Sequence, residues 1–229
     1  MTFPDLQLAA QSLLNNAAAL EQNCPTSLGV FPLPLFLLPS GNTRLRIFEP
    51  RYLSMISGSS KGGGFAIACF DKTLKTGLPT WGTRVEVIDF HSGDDGVLVV
   101  DVQGLHLVTL EDVKPRRDGL LVAQTQYKPH WAQLEKPVSK VKSQTAEQQQ
   151  IDARMLSLTR VLKNIFSEHT QLTQIYPQTY FSSPQWVCAR FLEILPLSLN
   201  EKEKFIKPMT LEHSQTFLYT LVLGAENNN

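Results

Sequence analysis

Between residues 44 and 56 the period of the apolar positions changes. Arg44 and Arg46 alternate with Leu45 and Ile47, a period of two that predicts a half-buried strand. From Pro50 the apolar residues fall at Tyr52, Met55 and Ile56, which is helical spacing. Proline suits a first helical turn, where no backbone N–H is needed. Glu49 just before it sets a carboxylate at the positive helix end, and Gly58 offers a stop. A strand thus becomes a helix within a few residues, with arginines and a carboxylate crowded at the bend.

Around this corner the pattern divides the chain in three. Leu6, Ala10, Leu13, Ala17 and Leu20 share one face of an amphipathic helix expected over 5–23, within an N-terminal segment 1–27. That face needs a cover, either this chain's own domain or a second copy in a homo-oligomer. Residues 28–143 read as β. Pro32, Pro34 and Pro39 forbid a helix and a central strand over 28–39, so an extended edge segment is expected there. Phe65–Phe70 reads as a short buried strand. Longer strands follow at Arg84–Phe90 and Val97–Val102 around an Asp94-Asp95-Gly96 turn. Gly104 predicts a bulge, and Asp118-Gly119 a second turn before Leu120–Tyr127. Short strands with glycine turns and no intervening helix point to a sandwich or small barrel. Prolines, lysines and glutamines over 128–145 mark a linker or broad loop. Residues 144–229 turn helical, with segments over Gln144–Phe166, from Ser183-Pro184 to Pro196, over Leu199–Ile206 and over Thr210–Leu223. Short connections between them predict a bundle.

Composition narrows the function. With 229 residues, 42% hydrophobic and 18% charged, the chain can bury a core without metal or disulfide staples. Its formal net charge of zero argues against a dedicated nucleic-acid binder. Cys24, Cys69 and Cys188 are far apart and odd in number, which suggests reduced thiols and a cytoplasmic setting. No apolar run is long enough to cross a membrane.

The usual catalytic constellations are missing. The five histidines are scattered, with no zinc-ligand spacing. There is no G-x-S-x-G elbow, and the glycine loop at 58–64 lacks the order of a phosphate loop. No catalytic, cofactor or metal residue is therefore assigned. The corner carries the candidate chemistry, and two readings stand. In one, Glu49 pairs with Arg46 or Arg51 to hold the bend, and Phe48 and Tyr52 fill the core. In the other, an arginine and an aromatic ring line a peptide groove. If Glu49 satisfies a buried arginine, Glu49→Ala should cost about 1–3 kcal/mol.

The order of segments carries a resemblance. Pro-Leu-Pro-Leu-Phe at 32–36 leads into Leu-Arg-Ile-Phe-Glu-Pro-Arg-Tyr at 45–52. Gly-Thr-Arg-Val-Glu-Val follows at 82–87, Val-Val-Asp-Val-Gln-Gly at 99–104 and Leu-Glu-Ile-Leu-Pro-Leu-Ser at 192–198. Over roughly 28–224 the chain resembles the N-terminal domain of the ATP-dependent Lon protease in its stand-alone bacterial form. The resemblance implies an α+β fold, a PUA-like antiparallel β barrel followed by a C-terminal helical bundle. It implies a non-catalytic module, an adaptor in protein quality control, that binds unfolded or degron-bearing polypeptides. An RNA-binding PUA-like module is the alternative. Arg46, Phe48, Glu49, Pro50, Arg51 and Tyr52 match the family signature and are the possible peptide-binding residues. The phosphate loop and the Ser–Lys dyad of the full protease are not in this sequence, so neither ATPase nor peptidase activity is implied.

Overall fold

A computed structural model describes residues 19, 21–22, 24–59, 63–93, 95–133 and 146–224. The expected N-terminal helix lies almost wholly outside them, as do Asp94 and 134–145. The chain divides into two compact units at the step from Pro129 to His130.

The first unit is one sheet with a helix. Its strands are β1 Ser27–Leu33, β2 Asn42–Ile47, β3 Phe65–Cys69, β4 Trp81–Ser92, β5 Leu98–Thr109, β6 Glu111–Pro115, β7 Leu121–Gln124 and β8 Tyr127–Lys128. They run in the order β2-β5-β4-β3-β1-β7-β6, and β8 also pairs with β5. The last pairing closes a barrel. Residues 121–128 pair with β1 at their start and with β5 at their end. Between these, Thr125 N donates to Thr26 O at 3.0 Å and Thr109 N to Gln126 O at 2.9 Å. The barrel is not wholly antiparallel, as the resemblance implied: β1 and β3 are parallel, with Val30 opposite Ala66. The connection between them carries β2 and helix α1 (Pro50–Ser59), the kind of crossover that parallel neighbours require.

β1 also departs from the expected edge position, since it lies between β3 and β7. Its prolines are tolerated because the two pairings are staggered. β7 covers only Ser27–Val30, while β3 covers Val30–Leu33. Leu33 O accepts from Phe70 N at 2.7 Å, so the odd-numbered residues bond toward β3. The missing N–H of Pro32 therefore faces the side where β7 has already ended.

The barrel interior holds Phe31, Leu45, Ile47, Phe65, Val100 and Val102, with Tyr52, Met55 and Ile56 of α1 packed onto them. A second cluster includes Val30, Ala66, Ala68, Val108 and Leu110. The bulge expected at Gly104 is present: Arg84 pairs with His106 and Val85 with Gly104, leaving Leu105 extra. A Cβ on Gly104 would lie 2.6 Å from the Leu38 carbonyl oxygen, so only glycine lets the 38–41 segment approach.

The second unit is helical: α2 Ala146–Glu168, α3 Thr170–Ile175, α4 Pro184–Ile194, α5 Leu199–Glu203 and α6 Leu211–Leu223. α3 was not anticipated. α4 starts as expected, with the Ser183 hydroxyl accepting from Trp186 N. α5 carries a capping box between Ser198 and Glu201. Met155, Leu158, Leu162 and Phe166 of α2 are buried, and α2 packs on α3, α4 and α6. Thr210 precedes α6, but its side chain does not cap it. It donates to Lys207 O at 2.8 Å and accepts from Trp131 Nε1 at 3.1 Å. His130 and Trp131 fell in the stretch expected to be a linker, yet both are fully buried, with Trp131 Nε1 donating to Phe205 O at 2.7 Å. The Trp131 ring supplies the apolar surface, and His130 is satisfied in the interior, its Nδ1 accepting from Ala132 N and its Nε2 lying 3.3 Å from Phe205 O.

Candidate functional site

The corner forms because β2 is a barrel wall and α1 is its lid. Leu45 and Ile47 point inward, while Arg44 and Arg46 lie on the outer face. Arg44 spans the sheet to Asp101 of β5, with Nε at 2.7 Å and Nη2 at 2.8 Å from its two carboxylate oxygens. This bidentate bond holds the Asp101 carboxyl below its ordinary range. His91 Nε2 lies 3.2 Å from the same carboxylate. Arg46 Nη2 pairs with Asp95 in the β4–β5 turn.

The bend itself is Phe48-Glu49. Glu49 O accepts from Tyr52 N at 3.0 Å and Leu53 N at 3.2 Å, which starts α1 with Pro50 in its first turn. Arg51 gathers the corner. Its Nη2 lies 2.7 Å from Glu49 Oε2, and its Nη1 donates to Gly119 O at 3.1 Å. Its guanidinium sits 4.8 Å from the Tyr52 ring centroid, and Tyr52 in turn stacks on Phe31 at 4.0 Å. Burial pushes the Tyr52 phenol above its ordinary pKa.

The turn between β6 and β7 docks against α1 through a second contact. Arg116 Nη2 donates to Ser54 Oγ at 3.2 Å, while its Nε donates to Asp118 at 2.9 Å. That bond and the Leu120 N–H hold the Asp118 carboxyl well below the ordinary range. Glu49, Pro50, Arg51 and Asp118 line an open recess of about 390 Å³.

Of the candidate residues, Glu49, Pro50 and Arg51 therefore come together at one recess. Tyr52 is buried beneath them. Arg46 lies apart, on the outer face of the sheet. Phe48 does not fill the core: it is 72% exposed, because the chain must leave the barrel wall at this residue to begin α1. Asp118 and Arg116 were not anticipated as part of the corner. Asp118-Gly119 was legible as a turn, but its docking partner lies more than sixty residues away in sequence. Among the described residues, no group of three or more His, Cys, Asp or Glu could hold a metal ion, and no helix is long and apolar enough to cross a membrane.

The profile of the ATP-dependent protease La (LON) substrate-binding domain matches residues 27–208. The chain belongs to this Lon substrate-binding domain family. The match takes in the barrel, the corner and most of the helical unit. Among solved structures, the chain folds like a Lon N-terminal domain protein from Xanthomonas campestris. The two share 25% identity at a TM-score of 0.55, over 82% of this chain and 96% of that one. The N-terminal domain of the Mycobacterium avium complex Lon protease is 13% identical, with a TM-score of 0.52 over 84% and 95% of the two chains, and shares the fold. A search of curated proteins finds no match.

Proposed function

We propose that this chain is a non-catalytic module that binds polypeptides in unfolded or degron-bearing form, acting as an adaptor in protein quality control. The observation that carries the reading is the exposed Phe48 at the family's signature corner. A ring that is 72% exposed loses more water contact on binding an apolar side chain than any partly buried neighbour can. It adjoins Glu49, Pro50 and Arg51, whose recess offers both charges to a passing chain. Membership of a substrate-binding family supports the same reading. Nucleic-acid binding has less behind it: Arg116 is engaged by Asp118, and the formal net charge is zero.

The test is chemical crosslinking of the full chain to reduced, carboxymethylated lactalbumin and, separately, to native lactalbumin. Crosslinks are expected with the unfolded form, at residues near Phe48. Equal crosslinking to both forms would remove the reading.

A further inference from the structure

The two outer edges of the sheet, β2 and β6, differ in how they are guarded. β6 is blunted in every available way. All five of its residues are exposed, its register is broken between Glu111 and Lys114, and it ends in Pro115. Asp112 sits at a φ of 51°. Charges, a bulge and a proline are the usual defences against an added strand.

β2 has neither the bulge nor the proline, and its two charges, Arg44 and Arg46, are tied up in ion pairs. Its six residues pair with β5 in unbroken register. The alternation of an antiparallel ladder fixes which backbone groups are spare. Gly93 N donates to Val97 O at 2.9 Å, so Val97, Val99 and Asp101 bond toward β4. Leu98, Val100 and Val102 then bond toward β2, where their partners are Ile47, Leu45 and Thr43. Gly104 N donating to Gly41 O at 2.8 Å has the same parity. The N–H and C=O of Arg44 and Arg46 consequently face away from β5, and they have no backbone partner among the described residues. Both residues are exposed.

Arginine side chains could still have shielded this edge. They do not, because each is drawn back across the sheet: Arg44 to Asp101 on β5, and Arg46 to Asp95 beyond it. What remains among the described residues is an unpaired row of two donors and two acceptors, ending at the exposed Phe48. Groups so spaced are matched by one chemistry, the backbone of another extended chain.

We infer that an extended segment of a bound polypeptide adds to the sheet as a strand along β2, hydrogen-bonded to Arg44 and Arg46 and placing an apolar side chain on Phe48. This rests on the polypeptide-binding reading and gives it a mode. Recognition through the backbone tolerates varied sequences, but it excludes proline at the two positions that face Arg44 and Arg46.

The test uses the full chain with reduced, carboxymethylated lactalbumin. Amide hydrogen exchange should show new protection of the Arg44 and Arg46 N–H groups on binding, whereas the Leu45 amide is protected already. Arg46→Pro removes a donor that β5 does not use, so the strand can accept it. Its affinity is expected to be about tenfold below that of Arg46→Ala, a difference that isolates the N–H from the side chain. Binding without new protection at Arg44 and Arg46 overturns the edge inference alone, as does equal affinity of the two variants. Protection that rises with protein concentration in the absence of lactalbumin assigns the edge to a second copy and also overturns it. No binding by the unaltered chain overturns the polypeptide reading itself.

Discussion

Glu49 and Arg51 form their ion pair at the surface, with side chains 39% and 36% exposed. Such a pair contributes little, because water screens it and two long side chains must be ordered. Glu49→Ala is therefore expected to cost below about 1 kcal/mol by urea denaturation, less than a carboxylate serving a buried arginine would. The residue beneath tells the opposite way. Tyr52 is 8% exposed and stacked on Phe31, so Tyr52→Ala should cost about 3–5 kcal/mol in the same measurement. His106 sets the response to acid. It is buried, its Nε2 has no hydrogen-bond partner among the described residues, and burial pushes its pKa down to about 4. The unfolded chain takes up this proton at its ordinary pKa of about 6.5 and the folded chain does not. The contribution is therefore complete above about pH 6.5 and is lost as pH falls toward about 4, by up to about 3 kcal/mol. In His106→Gln, the urea midpoint should lose most of its slope across that window. A slope equal to that of the unaltered chain would show that His106 is protonated in the fold.

At the scale of elements, the bulge in β5 is a tight constraint. Gly104→Ala places a methyl 2.6 Å from the Leu38 carbonyl oxygen. Backbone must shift to admit it, at an expected cost of about 2–3 kcal/mol in thermal or urea unfolding. This glycine was legible in the sequence as a break in a dense β-branched run, as was the switch from period two to helical spacing at the corner. Local patterns of that kind are set by neighbours in sequence, so β3, β4, β5, the corner helix and the α4 start could be read directly, whereas β6 was not anticipated. The failures have the opposite character. The central place of β1 depends on staggered partners around Pro32, which no local pattern encodes. The burial of Trp131 depends on the Phe205 carbonyl, and Phe48 leaves the core only because the chain turns there. The docking of Arg116 and Gly119 on α1 joins residues distant in sequence, so half of the candidate site lay beyond local reading.

At the scale of the whole molecule, the barrel carries an exposed Phe48 at the charged corner and, among the described residues, an unpaired outer edge on β2; the proposed function makes these two features the grip on a non-native chain. If apolar contact at Phe48 and backbone pairing at β2 dominate over the few charges of the recess, binding should weaken only modestly with ionic strength, unlike the steep salt dependence of a nucleic-acid complex. A titration with unfolded lactalbumin between low and moderate salt checks this. The most direct test of the central claim is the affinity of Phe48→Ala for that unfolded polypeptide, measured by fluorescence anisotropy. Because the ring is exposed, the variant should fold as stably as the unaltered chain, within about 0.5 kcal/mol, yet bind about tenfold more weakly. Undiminished affinity in a folded Phe48→Ala chain would contradict the account.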